Sequence, residues 1–121
     1  SEAASIEAAR MNLESAAVKI EFSCTTVENW IEAARSSLSF DCILADPPRT
    51  GMTPKVRTWL SFVEAPMLLY ISCDLASLAR DLRDLFQKGW QLENIILYDF
   101  YPQTGRLEAA ARLIKEAKHG P

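Results

Sequence analysis

Two short, wholly apolar runs constrain the fold of this chain more than any other feature. They occupy residues 42–45 (Cys-Ile-Leu-Ala) and residues 67–71 (Met-Leu-Leu-Tyr-Ile). Runs of this length, bounded by turn residues, are typical of buried parallel strands. Pro54 suits the first turn of a helix through about Phe62, which would connect the two strands. The pattern therefore predicts a strand–helix–strand unit within an α/β domain.

The N-terminal part predicts two helices and one strand. Residues 2–16 carry Ile6, Ala9 and Leu13 at helical spacing and lack glycine and proline. Residues 18–22 alternate apolar and polar side chains, which predicts a strand. Thr25 or Thr26 can cap a second helix running to about Ser36.

The C-terminal part predicts a helix followed by strands. Asp74 can cap a helix whose leucine stripe ends before Gly89. Residues 91–98 read as a strand, and residues 102–105 as a turn. Residues 107–114 fit a strand or a helix, because periodicity does not separate the two and alanine favours helix.

Composition limits the classes of function and of site that this chain can have. The 121 residues suit a single domain (1–121), and the net charge of −3 indicates that any grip on nucleic acid phosphates lies elsewhere in a longer chain. Three cysteines without motif spacing predict neither a disulfide framework nor a metal site. The only histidine is His119, which argues against Cys-His catalysis. No membrane-length run and no signal peptide is present, so we expect a cytoplasmic protein without membrane contact.

Two candidate residues follow the apolar strands directly. Ligands of open α/β sheets bind at the carboxyl ends of the strands, where Asp46 and Cys73 would share one rim. Pro47 and Pro48 stiffen the loop after Asp46 and hold its carboxylate at the strand tip. Recognition of a nucleobase amide or amine and a simple rigid turn are both open readings of this loop.

Cys73 lies at a strand-to-helix junction, where the helix dipole and free N–H groups favour a thiolate. The alternative is a small buried hydrophobe, which is the usual environment of a free cysteine. Cys24 and Cys42 fit that alternative, since Cys42 starts one predicted strand and Cys24 ends another. Cys73 alone has the placement of a nucleophile.

Three motifs occur in order and together resemble one family. They are Asp-Pro-Pro-Arg-Thr-Gly at residues 46–51, Tyr-Ile-Ser-Cys-Asp-Leu-Ala-Ser-Leu-Ala-Arg-Asp-Leu at 70–82, and Asp-Phe-Tyr-Pro-Gln-Thr-Gly-Arg-Leu-Glu at 99–108. The chain resembles, over roughly residues 1–115, the RNA (uracil-5-)-methyltransferases, which act on tRNA or rRNA. The resemblance implies the C-terminal part of a Rossmann-like class I methyltransferase sheet, mainly parallel with a C-terminal antiparallel pair, and it favours a strand at residues 107–114.

The resemblance also implies a mechanism and its residues. Cys73 would add to C6 of a uracil, Glu108 would remove the C5 proton, and Asp46 would orient the pyrimidine. Asp46 and Pro47 would contact the cofactor, S-adenosylmethionine. The residues expected to bind the RNA substrate are Arg49, Gln103 and Thr104.

The chain departs from the family pattern in ways that carry expectations. Asp74 stands where the family usually has asparagine, and Arg106 where it usually has histidine. The glycine-rich cofactor loop and the first two strands are missing, so we expect no measurable affinity for S-adenosylmethionine. We also expect the edges at residues 18–22 and 42–45 to pair with each other or to form a dimer.

Two other functions fit part of the sequence. Asp-Pro-Pro also occurs in amino-methyltransferases, which need neither a nucleophilic cysteine nor Glu108. A non-catalytic RNA-binding module descended from the enzyme would accommodate the changes at Asp74 and Arg106 and the negative charge.

Overall fold

The computed structural model describes residues 2–14, 17–34, 38–101 and 103–116. The chain divides into two compact units, Ser1–Ala33 and Ala34–Pro121. Among the described residues, no helix combines the length and the apolar character needed to cross a membrane.

The first unit contains two short helices, α1 (Glu2–Asn12) and α2 (Val27–Ala33). The N-terminus of α2 is capped as predicted, because Thr26 Oγ1 accepts a hydrogen bond from the Asn29 N–H at 3.1 Å. Helix α1 ends before the predicted boundary at residue 16, and residues 15 and 16 lie outside the described part. Residues 35–37, at the predicted end of α2, also lie outside it.

The strand predicted at residues 18–22 is wrong. These residues form no strand, and Val18 is 69% exposed. Alternation alone is not enough for a strand, because the backbone N–H and C=O groups also need a neighbouring strand to pair with. Among the described residues, the strands of the sheet pair between residues 43 and 115, and one isolated bridge joins Ser39 to Glu64.

The second unit is a four-stranded sheet with two helices. Its elements, in chain order, are β1 (Ile43–Ala45), α3 (Pro54–Phe62), β2 (Met67–Ser72), α4 (Leu75–Gln87), β3 (Trp90–Tyr101) and β4 (Arg106–Lys115). The strand order is β1-β2-β4-β3. Strands β1 and β2 are parallel neighbours, and β4 is antiparallel to both β2 and β3. Three strands therefore run in one direction and β4 in the other, which confirms the predicted α/β sheet with its antiparallel C-terminal strand.

Residues 107–114, for which the sequence fitted a strand or a helix, form a strand. Strand β4 is hydrogen-bonded on both sides, so its backbone groups are paired without a helix. Its small side chains also have a function, because Ala109 and Ala111 are fully buried and allow close packing of the sheet's inner face. Tertiary pairing here overrides the helical propensity of alanine.

The core lies between one face of the sheet and the two helices. Alternate residues of β2 point inward, so that Leu68, Tyr70 and Ser72 are buried. Trp90 is 1% exposed, and its indole N–H donates to the Leu60 carbonyl at 3.0 Å. The buried apolar residues of the helices are Leu60, Leu78, Leu82 and Leu85.

Strand β1 is less buried than predicted because it lies at the edge of the sheet. Leu44 is 65% exposed. The expected pairing of β1 with residues 18–22 is wrong, since those residues form no strand; an edge-strand dimer stays a prediction. Cys24 and Cys42 were expected to be buried, yet both are exposed, because Cys42 precedes this edge strand and Cys24 follows a segment without regular structure.

Replacing Leu85 with alanine tests the core of the second unit. Leu85 is fully buried, so Leu85→Ala should lower the free energy of unfolding by about 3 kcal/mol through lost burial and a cavity. Phe86→Ala is the matched control: Phe86 is 46% exposed, and its removal should cost less than about 1 kcal/mol. Urea unfolding of both variants measures the difference, and equal losses would contradict this packing.

Candidate active site

Asp46 and Cys73 lie at the same edge of the sheet, as the sequence predicted. Ala45, at the end of β1, pairs in parallel with Tyr70 of β2, so the residues that follow both strands emerge at one rim. Both Asp46 and Cys73 are exposed. Both residues are therefore accessible from solvent.

Strand β4 brings Glu108 to the same rim. In the antiparallel pairing of β2 with β4, Ser72 lies opposite Ala109. The next residue after β2 is Cys73, and the residue before Ala109 in β4 is Glu108. Glu108 is half-buried, and on its other side it pairs with Tyr98 of β3. The thiol and the carboxylate thus come from neighbouring strands.

The junction after β2 fixes the backbone at Cys73. Asp74 is the N-cap of α4, and its carboxylate accepts a hydrogen bond from the Ser77 N–H at 3.0 Å. This hydrogen bond is the main reason that the pKa of Asp74 lies below its usual value. Ser72 Oγ accepts from the Asp74 N–H at 3.1 Å and donates to the Asp74 carbonyl at 2.9 Å. The residue that follows Cys73 in the chain therefore carries a carboxylate that is ionised at neutral pH.

The loop after Asp46 is tightly folded. We call residues 46–53 the Asp46 loop. The Gly51 N–H donates to the Pro48 carbonyl at 2.8 Å, which closes a turn. Gly51 has a φ of +79°, and a Cβ built on it would lie 2.6 Å from both Arg80 Nη2 and Asp81 Oδ2. Only glycine fits at this position.

Three side chains of α4 hold the Asp46 loop, and we call Ser77, Arg80 and Asp81 the α4 clamp. Ser77 Oγ donates to the Arg49 carbonyl at 2.6 Å. Arg80 Nη2 donates to the Thr50 carbonyl at 2.6 Å. Asp81 Oδ2 accepts from the Met52 N–H at 2.8 Å.

Asp81 is a buried charge with several partners. Its side chain is fully buried, and Arg57 Nη1 and Arg80 Nη2 lie 2.8 and 2.9 Å from Oδ1. The Tyr70 hydroxyl donates to Oδ2 at 2.5 Å, and burial, followed by this hydrogen bond, raises the pKa of Tyr70. Burial lowers the pKa of Arg57, but hydrogen bonds to Asp84 and Asp81 outweigh it, and the net pKa is raised.

Sequence reasoning did not identify Asp81 or Arg57 as parts of this site. The spacing of Asp81 could have indicated its burial, because it follows Leu78 by three residues and precedes Leu85 by four. It therefore falls on the inward stripe of α4, where an acidic residue needs a partner.

The remaining predicted residues occupy the same rim. Pro47 is half-buried and Arg49 is exposed. Gln103 and Thr104 are exposed in the turn between β3 and β4, which lies at the carboxyl end of β2, and Gln103 has a positive φ of 69°. Over the described ranges, no group of three His, Cys, Asp or Glu side chains is placed to hold a metal ion.

A model of the tRNA (uracil-5-)-methyltransferase family matches residues 3–116. The chain belongs to this family. Membership confirms the resemblance carried by the three motifs. It also favours the uracil-5 methyltransferases over the amino-methyltransferases that share only Asp-Pro-Pro.

Individual relatives agree. An uncharacterised RNA methyltransferase of Treponema denticola is 39% identical over 90 residues, which is 74% of this chain and 22% of the relative. The 23S rRNA (uracil(1939)-C(5))-methyltransferase RlmD of Histophilus somni is 33% identical over 88 residues, covering 73% of this chain and 20% of that protein. The chain thus spans about a fifth of the length of these relatives.

A solved structure supports the fold assignment. The tRNA (uracil-54, C5)-methyltransferase of Pyrococcus abyssi, in complex with S-adenosyl-L-homocysteine, matches with a TM-score of 0.76 and 29% identity. The match covers 93% of this chain and 26% of that one. The M1.HpyAVI–SAM complex matches with a TM-score of 0.55 and 15% identity, which supports the class I methyltransferase fold alone.

The charge beside the thiol can be tested by Asp74→Asn. Asparagine caps a helix about as well as aspartate, so α4 should be retained. The substitution removes a negative charge from the residue next to Cys73, and alkylation of Cys73 by iodoacetamide at pH 7 should become about two- to fivefold faster, because the anionic nucleophile no longer faces a like charge. Site-resolved mass spectrometry measures the rate, with Cys42 in the same molecule as the internal control. An unchanged Cys73 rate would show that Asp74 does not influence the thiol.

Proposed function

We propose that the full-length protein containing this chain methylates C5 of a uridine in tRNA or rRNA, with S-adenosylmethionine as the methyl donor. The observation that carries the proposal is the register of β2 with β4, which ends at the pair Ser72–Ala109, next to Cys73 and Glu108, with Asp46 directly after the neighbouring strand β1. Membership of the family supports the same reaction. The reaction needs two protein groups near one pyrimidine ring, because a thiol must add to the ring and a base must remove a proton from it.

Cys73 is the proposed nucleophile. Uracil C5 is too weakly nucleophilic to accept a methyl group directly. Addition of the Cys73 thiolate forms an S–C6 bond and moves the C5=C6 electrons towards the C4 carbonyl, which gives an enolate with a nucleophilic C5. The exposed position of Cys73 suits a target base that is flipped out or already single-stranded.

Glu108 is the proposed general base. After methylation, C5 carries both a methyl group and its original proton. Glu108 takes that proton, the C5=C6 bond forms again, and the S–C6 bond breaks to release the Cys73 thiolate. The position of Glu108 near the start of β4, half-buried, supports this role.

Asp46 and Pro47 are the residues of this chain that would contact the cofactor. The exposed Asp46 carboxylate can accept hydrogen bonds from an amine or an amide, and Pro47 adds an apolar surface, so the donor set fits one side of such a site. S-adenosylmethionine, when bound, supplies the electrophilic methyl group. In the same position Asp46 can orient the uracil edge.

RNA contacts are proposed for the loops at this rim. Arg49 is an exposed cation that can meet a phosphate, and Gln103 and Thr104 present polar groups from the β3–β4 turn. The rings of Tyr98 and Phe100 stack at 5.4 Å between centroids with an interplanar angle of 3°, and both side chains are exposed. A nucleobase can stack on such a surface beside Glu108.

A reactive free thiol functions in a reducing compartment, so we place the protein in the cytoplasm.

The 121-residue chain alone should not bind the cofactor. It holds four glycines, and none forms a glycine-rich phosphate or cofactor loop. Isothermal titration calorimetry with S-adenosylmethionine should therefore give no saturable heat for this chain, whereas the full-length protein should bind. Clear saturation with the short chain would contradict this part of the proposal.

The covalent mechanism can be tested with RNA that contains 5-fluorouracil. Fluorine at C5 cannot leave as a proton does, so the full-length protein should accumulate an RNA–protein adduct in the presence of S-adenosylmethionine. Cys73→Ala should abolish the adduct, and Cys42→Ala should not, because Cys42 lies at the amino end of β1. Denaturing gels measure the adduct.

Glu108→Gln separates the two steps. The variant should still form the S–C6 bond but should not remove the C5 proton, so an adduct should accumulate even on unmodified uridine RNA. Absence of adducts in wild-type and Glu108→Gln proteins would favour a non-catalytic RNA-binding module. Methylation by Cys73→Ala would favour an amino-methyltransferase.

A further inference from the structure

We propose that Arg80 is a positioning residue for the reaction, and that it acts through Asp46. Arg80 fastens the Asp46 loop to helix α4, and α4 begins directly after Cys73. The α4 clamp would then set the position of the Asp46 carboxylate relative to the thiol. This inference rests on the proposed function, because it assumes that both groups act on one pyrimidine.

The first argument is the connection between the two halves of the site. Ser72 Oγ and the Asp74 cap fix the start of α4 to the end of β2, so Cys73 is held between two hydrogen-bonded elements. One and two turns further along α4, Ser77 and Arg80 donate to consecutive carbonyls of the Asp46 loop, each at 2.6 Å. The helix is therefore a common support for the thiol and for the loop that carries Asp46.

The second argument is the stiffness of the loop between Asp46 and the clamp. Pro47 and Pro48 have a fixed φ, and the Pro48 carbonyl is held by the Gly51 N–H. Gly51 is buried against Arg80 and Asp81 without space for a Cβ. A displacement of the clamped segment would therefore move Asp46 rather than be absorbed by the intervening residues.

The third argument separates Arg80 from the core. Asp81 is fully buried, so its loss would destabilise the whole unit. The Arg80 side chain is 51% exposed, and its contact with the Thr50 carbonyl lies at the surface. Its guanidinium also lies 2.9 Å from Asp81 Oδ1, but Asp81 keeps the Arg57, Tyr70 and Met52 contacts when Arg80 is removed. Arg80→Ala therefore tests positioning with most partners of the buried carboxylate still in place. Arg83 provides the matched control, because it is an exposed arginine on the same helix.

The first experiment follows the loop itself. Hydrogen–deuterium exchange of the full-length protein should show faster exchange of the backbone amides of residues 49–53 in Arg80→Ala, by about fivefold, as expected for one lost hydrogen bond. Arg83→Ala should exchange like the wild type. Equal exchange in wild-type and Arg80→Ala proteins would overturn the proposal, and this measurement does not depend on activity.

The second experiment is a double-mutant cycle on RNA methylation. Arg80→Ala should lower kcat by about ten- to a hundredfold, since small misplacements of catalytic groups have effects of this size. In an Asp46→Asn background the same substitution should cause little further loss, because Arg80 acts through Asp46. Arg80→Lys, which keeps one donor, should recover part of kcat.

The outcomes distinguish this inference from the function on which it rests. Additive losses for Asp46→Asn and Arg80→Ala, or an unchanged kcat in Arg80→Ala, would overturn the positioning role while methylation stands. A wild-type protein without uridine methylation would overturn the proposed function, and the exchange experiment would still report on the clamp. If Arg80→Ala lowers the unfolding temperature far more than Arg83→Ala, its role is structural and the proposal fails.

Discussion

The buried carboxylate of Asp81 is the interaction on which the second unit most depends. Its partners come from a strand, a helix and a loop: the Tyr70 hydroxyl, the Arg57 guanidinium and the Met52 N–H. An unpaired charge in this position would cost several kcal/mol, so the three elements are held in one arrangement. Arg80 adds a fourth contact from α4, the helix that carries Asp81 itself. The rest of the site is arranged around this charge, because the Asp46 loop closes over it.

The reversal of β4 is the second structural condition for the site. In a purely parallel sheet, the rim beyond β2 would receive only residues that follow strands. Because β4 runs against β2, residues near its beginning lie at that rim, and Glu108 adjoins the last pair, Ser72–Ala109. The same reversal places the β3–β4 turn, with Gln103 and Thr104, at this edge. A sheet with one antiparallel strand therefore brings residues that follow a parallel strand and residues that begin the antiparallel strand to the same rim.

Patterns within a few neighbouring residues correctly predicted the helix caps and the start of a helix. The caps at Thr26 and Asp74 are confirmed, and α3 begins at Pro54 as expected. The failures concern pairing and burial. The alternation at residues 18–22 did not produce a strand without a neighbour, and Cys42 is exposed because β1 lies at an edge. Which strand lies beside which is a property of the assembled sheet, and no residue in either segment encodes it.

The sequence by itself determined the chemistry available to this protein: a thiol after one apolar strand, a carboxylate after another, and motifs that identify the family. It also determined the stiffness of the Asp46 loop, through two prolines and Gly51. Only the tertiary structure decided that β4 brings Glu108 to the rim where Cys73 follows β2, and that Asp81 and Arg80 support the loop from α4. The reason is physical: caps and turns depend on residues within a few positions, whereas cross-strand register and buried ion pairs join residues that meet only after the chain has folded.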